Sequence, residues 1–139
     1  MKIIAVDPNP VELLRLSVKL RGITPPGTSV ECFSDPLYAY QYSFHHRIDA
    51  LFAAAQMSRL SGLELAERIR ARFPGARIFV LWPDGTFRQE ALRRGADGYL
   101  LSPASAEALR EAMEQAEAPD DGAGPSPERE APISQKKIV

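Results

Sequence analysis

Short apolar runs and stretches of helical periodicity alternate five times along the first 117 residues of the chain. The runs at 3–6, 51–55 and 78–82 are unbroken, which is typical of strands that are covered on both faces of a sheet. Two shorter runs complete the set. We predict strands at 3–6, 30–33, 48–55, 78–82 and 99–101.

Each predicted strand is followed by helical signals. Asn9 can cap the first helix and Pro10 suits its first position, while Gly22 is predicted to end it. Thr86 and Gln89 have the spacing of a capping box for the fourth helix. The predicted helices span about 10–20, 36–44, 62–73, 86–95 and 105–117.

This alternation predicts an α/β fold, a doubly wound (βα)5 architecture with a parallel five-stranded sheet. Right-handed crossovers place helices on both faces of such a sheet. The common strand order for five units is 2-1-3-4-5, with a switch point between the first and third strands. In that order Asp7, Ala54 and Ser102 converge at one crevice, at the edge where open α/β sheets bind ligands.

Composition and charge exclude several classes of protein. Of the 139 residues 25% are charged and the formal net charge is −1, so no global field favours nucleic acid or an anionic membrane. No apolar run approaches the ~20 residues of a membrane span, and we expect a cytoplasmic protein. Cys32, the one cysteine, lies in an alternating apolar stretch and is predicted to be a buried thiol.

The last 22 residues differ in kind from the rest. Residues 118–139 contain four prolines and two glycines with few apolar groups. Such a segment cannot bury enough surface to offset the entropy of ordering. We therefore predict one domain at 1–117 and a disordered C-terminal tail at 118–139.

Three segments resemble the receiver domains of bacterial response regulators. KIIAVD (2–7) is similar to the family's first strand with its acidic end, and MSRLSGLELAERIR (57–70) to its M-P-G-M-D-G-L-E-L. ALRRGADGYLLSP (91–103) is similar to the family's G-A-D-D-Y-L-x-K-P. The resemblance covers residues 1 to about 117, and its texture is closest to receivers joined to LytTR-type DNA-binding domains. It implies the receiver (flavodoxin-like) fold and a role in two-component signalling by phosphorelay.

When the residues that the family uses for phosphoryl transfer are matched to this sequence position by position, several of the required groups are missing. The position of the acceptor aspartate is Ala54, whose methyl group cannot form an acyl phosphate. Asp7 has the place of one of the family's two acidic residues, and Pro8 has that of the other. Asp7 is then the only candidate ligand for the family's Mg²⁺, and we predict that magnesium binding is lost. Capping of local backbone N–H groups is the other interpretation of Asp7.

The groups that contact the phosphoryl oxygens in the family are missing as well. Ser102 has the position of its lysine, before Pro103. The hydroxyl position falls on Leu81 or Trp82, two registers that the sequence leaves open, and neither side chain has a hydroxyl. Because nucleophile, metal charge and oxyanion contacts are separate requirements of this chemistry, we predict a degenerate pseudo-receiver with no catalytic residue and no cofactor.

Tyr99 and Trp82 are candidates for a conformational switch. Tyr99 has the position of an aromatic residue that changes rotamer with phosphorylation in the family; an ordinary amphipathic aromatic residue is the alternative. Trp82 is bulky where the resemblance implies a small hydroxyl residue. We hypothesise that Trp82 biases Tyr99 to one rotamer.

Arg88, Arg93 and Arg94 on the fourth helix are candidates for a partner-binding face, with a solvated helix face as the alternative. The resemblance implies that the fourth helix, fifth strand and fifth helix form this surface. The leading hypothesis is a non-enzymatic signalling protein that binds a protein partner, or itself, independently of phosphorylation. The alternatives are a phosphorelay receiver with an atypical acceptor or a noncovalent phosphate or cation site and, more remotely, a flavodoxin-like cofactor protein. Direct nucleic-acid binding and membrane association are not expected.

Overall fold

Five parallel strands form one sheet in the order β2-β1-β3-β4-β5 in the computed structural model, which confirms the predicted fold and topology. The strands are β1 (Lys2–Val6), β2 (Ser29–Phe33), β3 (Ala50–Ala54), β4 (Arg77–Trp82) and β5 (Gly98–Leu101). The helices are α1 (Pro10–Ile23), α2 (Pro36–Tyr42), α3 (Gly62–Arg72), α4 (Arg88–Arg93) and α5 (Ala106–Glu117). The structure describes residues 1–117, so the predicted tail at 118–139 lies outside the described residues.

Two apolar layers cover the sheet. α1 and α5 pack on one face, where the rings of Phe52 and Phe79 stack with 4.8 Å between their centroids. α2, α3 and α4 pack on the other face, around side chains such as Leu51 and Ile69. Every residue of β3 is buried, which explains its unbroken apolar sequence. Among residues 1–117 the structure contains no helix long and apolar enough to cross a membrane.

The end of α1 differs from the prediction. The helix continues through Gly22 and ends at Ile23, with Thr24 as its C-cap. The Thr24 hydroxyl donates a hydrogen bond to the Leu20 carbonyl at 2.8 Å. Pro25 disfavours helical geometry at the residue before it, so this proline, and not the exposed Gly22, sets the end of the helix.

The predicted capping box of the fourth helix is wrong. Asp84 provides the cap, because its Oδ1 accepts a hydrogen bond from the Thr86 N–H at 3.0 Å. A single 3-10 turn, Gly85–Phe87, follows, and α4 begins only at Arg88. The two hydrogen bonds from Thr86 lower the pKa of the Asp84 carboxyl. Gly95 follows α4 with a positive φ of 107°, the left-handed conformation that glycine commonly adopts just after a helix.

Cys32 is exposed, so the predicted burial is wrong. The residue lies on β2, and β2 is at the edge of the sheet. A helix layer covers the centre of a sheet more completely than its edge. Alternation alone does not reveal which strand lies at the edge.

A partly exposed polar network at the amino edge of the sheet, which we call the Arg70 junction, joins α3 to the turns before β4 and β5. Arg70 donates to the carbonyls of Pro74, Ala76 and Gly95 and, at 2.6 Å, to Oδ2 of Asp97. The same Asp97 oxygen accepts the backbone N–H of Ile78, the second residue of β4, at 2.8 Å. One guanidinium thus fixes the starts of two neighbouring strands.

Candidate functional site

The carboxyl ends of β1, β4 and β5 meet beside α1 and enclose a small cavity, which we call the carboxyl-edge crevice. Asp7, Leu81 and Ser102 line it, together with charged side chains of α1. Its volume is about 20 Å³, which is room for about one water molecule. The structure thus brings Asp7 and Ser102 together, whereas Ala54 is buried at the end of β3 and does not line the cavity.

Local backbone holds Asp7 in place. Its Oδ1 accepts a hydrogen bond from the Asn9 N–H at 2.8 Å, and its own N–H donates to the Phe33 carbonyl at 3.1 Å. Partial burial raises the pKa of the Asp7 carboxyl, the Asn9 hydrogen bond opposes this rise, and the charge of Glu12 adds to it. This geometry matches the interpretation of Asp7 as a local cap.

Three charged residues of α1 that sequence reasoning missed also line the crevice: Glu12, Arg15 and Lys19. Lys19 reaches across to the loop after β5, where its Nζ donates to the Ala104 carbonyl at 2.8 Å. Their spacing in the sequence, i, i+3 and i+7, could have identified them, because it places the three side chains on one face of a helix. The partner on another loop cannot be read from that spacing.

The backbone of α3 closes over the end of β3. The Gly62 N–H donates to the Ala55 carbonyl at 2.9 Å. A Cβ atom on Gly62 would lie 1.7 Å from the carbonyl oxygen of Ala54, so only glycine permits this approach. The preceding residue, Ser61, caps α3 by accepting the Glu64 N–H at 3.1 Å. Ala54 is therefore enclosed by main chain.

The loops after β2 and β3 are joined above this edge. Arg59, which has a positive φ of 74°, lies 3.4 Å from Oδ2 of Asp35. Asp35 also caps α2 by accepting the Leu37 N–H at 2.9 Å. The pair holds the loop after β3 against the start of α2.

The sheet register separates the two candidates at the end of β4. Leu81 lies opposite Ala54 in the ladder and lines the crevice. Trp82 packs in the apolar layer of α2, α3 and α4, where its ring meets that of Phe87 edge-on at 5.5 Å between centroids. Leu81 is thus the β4 side chain that lines the crevice.

Tyr99 is buried and points inward. Its hydroxyl donates to the Asp84 carbonyl, and the Phe87 N–H approaches the hydroxyl oxygen at 3.4 Å. The Arg88 guanidinium lies 4.9 Å from the centre of the Tyr99 ring. Trp82 is connected to this arrangement through Phe87, its ring neighbour.

The three arginines of the fourth helix lie in different surroundings. Arg88 and Arg93 are exposed. Arg94 turns toward α3 instead, where it pairs with Glu90 at 3.1 Å and with Glu67 at 3.8 Å. Arg94 is thus engaged within the domain, and Arg88 and Arg93 remain the candidates for the partner face.

The sheet order, the helices on both faces and the acidic residue after β1 define a doubly wound α/β domain of the receiver type. The model of the response regulator receiver domain matches residues 3–114. The chain therefore belongs to the family of response regulator receiver domains, the signalling modules of two-component systems.

Relatives and solved structures agree with this assignment. The response regulator MprA of Mycobacterium leprae is 34% identical over 128 residues, which cover 88% of this chain and 55% of that protein. The chain thus spans about half the length of this curated relative. The chemotaxis protein CheY4 of Vibrio cholerae has a similar structure, with a TM-score of 0.73, 24% identity, and coverage of 83% of this chain and 97% of that one.

A second structural neighbour was crystallised with a metal. The receiver domain of the sensor histidine kinase PA1611 from Pseudomonas aeruginosa, with a magnesium ion coordinated in its active-site cleft, has a TM-score of 0.71 at 24% identity. The match covers 82% of this chain and 94% of that one. At this identity the likeness concerns the fold.

The residues of the carboxyl-edge crevice do not fit a magnesium ion. The carboxylates of Asp7 and Glu12 line it, but so do the cations of Arg15 and Lys19, which offset their charge. Mg²⁺ keeps several water ligands in octahedral geometry, whereas this cavity has room for about one. Among the residues that the structure describes, no three His, Cys, Asp or Glu side chains form a group able to hold a metal.

Proposed function

We propose that the chain is a pseudo-receiver that acts by protein–protein interaction, independently of phosphorylation, and has no enzymatic activity. The observation that carries this proposal is the enclosed, nearly apolar end of β3. A methyl group stands there in place of a nucleophile, and the backbone of α3 covers it. The cytoplasmic location predicted from the sequence stays part of the proposal.

The surroundings of Ala54 support the same conclusion. A phosphoryl group needs a nucleophile to form a bond to phosphorus and a cation to balance its oxygens. Ser102, at the family's lysine position, has a neutral hydroxyl. Of the two cations that line the crevice, Lys19 directs its ammonium group to the Ala104 carbonyl and Arg15 lies 3.5 Å from the Glu12 carboxylate. The crevice is also small, with a volume of about 20 Å³.

The position of Tyr99 supports a fixed conformation. In the family this residue reports phosphorylation by changing rotamer, but here the Asp84 carbonyl and the Arg88 guanidinium hold it inward. Trp82 fills the space beneath the adjacent turn through its contact with Phe87. The proposed domain therefore stays in one state and presents one surface.

The proposed partner surface consists of α4, β5 and α5. Leu101 on β5 is 52% exposed, beside the exposed Arg88 and Arg93 of α4. Two exposed glutamates of α5, Glu107 and Glu111, have the opposite charge. A two-fold pairing that sets α4 of one copy against α5 of another matches these charges, so a homodimer, or a partner with similar charges, fits this surface.

The phosphorylation part of the proposal is tested with acetyl phosphate, or beryllofluoride, and Mg²⁺. We expect no added phosphoryl mass in the intact protein and no amide NMR shifts near Asp7, Ala54 and Ser102. The matched control is a Pro8→Asp/Ala54→Asp/Ser102→Lys variant, which restores the acceptor carboxylate, the second acidic residue and the lysine of the family. A phosphoryl adduct on the native chain would overturn the proposal.

That opposite result would favour the second candidate, a phosphorelay receiver with an atypical acceptor or a noncovalent phosphate or cation site. The observation on its side is the half-buried carboxyl of Asp7, which lies in one crevice with Ser102 and Lys19. Tandem mass spectrometry of the adduct would identify the acceptor.

The interaction surface is tested by sedimentation velocity across a range of protein concentrations. We expect self-association that Leu101→Arg abolishes. Leu14→Arg, on the exposed face of α1, is the matched control and is expected to leave self-association unchanged. A chain that stays monomeric at all concentrations excludes the homodimer and leaves a different protein as the partner.

A further inference from the structure

An aromatic groove lies on the side of the domain formed by β2, α2 and the loop after α2. Its volume is about 450 Å³. The rings that line it are those of Phe33, Tyr38, Tyr42, Phe44, His45 and His46. Two of them are unusually accessible for aromatic side chains, since Tyr38 is 59% and Phe44 49% exposed. The proposed partner surface on α4, β5 and α5 does not include this groove.

The groove is held in shape by contacts between its own rings. His46 stacks on Tyr42 with 3.9 Å between centroids, and Tyr42 in turn lies 5.3 Å from Phe33. The Tyr42 hydroxyl accepts a hydrogen bond from Lys2 Nζ at 2.8 Å. A surface whose side chains are already fixed loses little entropy when a ligand binds.

Cations line the rim of the groove. The Arg72 guanidinium lies 4.3 Å from the centre of the Phe44 ring, and Arg47 and Lys2 lie at the same edge of the domain. The carboxylates nearby are Glu31, Asp35 and Asp49. Asp35 is paired with Arg59, and Asp49 is bonded to Arg47 and to the Lys2 backbone N–H. The groove therefore suits an extended peptide with apolar rings and negative charges.

We propose that residues 125–132 of this chain, P-S-P-E-R-E-A-P, bind in this groove. The segment has three prolines and two glutamates, Glu128 and Glu130, which flank Arg129. Proline-rich segments favour the extended polyproline II conformation and dock on aromatic-lined grooves. In such a complex the proline rings would lie against Tyr38 and Phe44, and the glutamates would face the cations of the rim.

The chain is long enough to make this contact. The carboxyl ends of α5 and α2 lie at the same edge of the sheet, because both helices run antiparallel to the strands. The eleven residues from Glu117 to the middle of the segment span up to about 38 Å. A domain of this size is about 35 Å across, so the segment can reach past the sheet from the face of α5 to that of α2.

A paramagnetic label in the full-length chain tests the contact. In a Cys32→Ser background a nitroxide is attached either at Gln41→Cys, which lines the groove, or at Leu14→Cys, which is 63% exposed on α1. Amide NMR signals of residues 125–132 are compared before and after reduction of the label. An excess of chain that carries neither nitroxide nor NMR isotope suppresses signal loss between copies, so that the remaining loss is intramolecular.

We expect the label at position 41 to remove most of the signal intensity of residues 125–132, and the label at position 14 to leave it unchanged. Stronger loss from position 14 would place the segment on the apolar face of α1 and overturn the proposal. Equal, weak effects from both labels would show that the segment does not bind the domain. Loss that disappears on dilution with unlabelled chain would mean contact between copies, which also overturns it.

Substitutions at exposed positions test the aromatic contact and the charged contact of the interaction separately. Tyr38→Ser removes an exposed ring and is expected to restore the signals, whereas Leu14→Ser, an equally exposed position, is not. Glu128→Lys with Glu130→Lys is expected to weaken the contact, and Lys136→Glu with Lys137→Glu, outside the segment, is the charge control. Unchanged broadening in both test variants would exclude the groove as the binding site.

Discussion

The two edges of the sheet use their polar side chains in opposite ways. At the amino edge, Arg70 and Asp97 join α3, β4 and β5 through a dense set of hydrogen bonds. At the carboxyl edge, where open α/β sheets bind ligands, β3 ends in methyl groups, and a cavity of about 20 Å³ remains. The polar network around Arg70 is therefore architectural, at the edge remote from the family's chemistry.

This difference shows which parts of a receiver domain the fold itself requires. Parallel strands need fixed starting points, and the Arg70 junction supplies them for β4 and β5. The fold does not require an acceptor carboxylate, since Ala54 is buried at that position and its carbonyl accepts the close approach of Gly62. A receiver domain can thus keep its fold without an acceptor carboxylate, as the proposed function requires.

The largest expected effect concerns the closed carboxyl edge. Gly62→Ala places a Cβ atom against the Ala54 carbonyl oxygen, a clash with backbone that no side-chain movement relieves. We expect a loss of about 3 kcal/mol or more in the free energy of unfolding, measured by urea denaturation. Gly22→Ala, in open space on α1, is the control and is expected to stabilise by about 0.5–1 kcal/mol. Equal stabilities of the two variants would contradict the closed edge.

The sequence specified the sheet more completely than it specified these contacts. Strand positions follow from short apolar runs and helix positions from a periodicity of 3.6 residues, which a single segment displays by itself. The end of α1 was mispredicted because Gly22 is tolerated near a helix end while Pro25 is not. The exposure of Cys32 depends on strand order, which is a property of the whole sheet.

The candidate site could be predicted from the sequence only in part. The absence of reactive groups at Ala54 and Ser102 could be predicted from a resemblance between motifs. The contact of Lys19 with Ala104 joins residues 85 positions apart, and the Arg70 junction consists largely of backbone carbonyls, which no sequence motif displays. Such contacts exist only once the chain has folded.

The next largest effect tests the amino edge. Arg70→Ala leaves the Asp97 carboxylate without its cation and removes donors from three carbonyls. We expect a loss of about 1–2 kcal/mol in the free energy of unfolding, since the ion pair is partly exposed. Arg15→Ala breaks an exposed pair with Glu12 and is expected to cost less than about 0.5 kcal/mol. If the two substitutions cost the same, the Arg70 junction does not organise the edge.

A smaller loss of stability is expected at the turn before α4. Tyr99→Phe removes the hydroxyl that donates to the Asp84 carbonyl, and we expect a loss of about 1 kcal/mol together with faster amide exchange at Thr86 and Phe87. Tyr38→Phe, which alters an exposed ring, is expected to change neither quantity. Unaltered exchange in the Tyr99 variant would mean that Tyr99 does not hold the turn in place.

The smallest expected effect is on the pH dependence of stability, to which Asp7 and Asp84 contribute with opposite signs. Burial raises the pKa of Asp7 above its ordinary 3.8, so the native state binds more protons than the unfolded state and loses stability as pH rises from 3.8 through the raised value. Hydrogen bonds from Thr86 lower the pKa of Asp84, so the native state gains stability as pH rises through the lowered value to 3.8.

Replacement by asparagine removes each titration and keeps an oxygen acceptor in place. Relative to the native chain, Asp7→Asn should therefore become more stable as pH rises through the window above 3.8, and Asp84→Asn less stable through the window below it. Urea midpoints measured across both windows give the two slopes. Slopes of the same sign would show that the carboxyl-edge crevice does not desolvate Asp7, and that the contrast between a closed crevice and an exposed turn is wrong at this point.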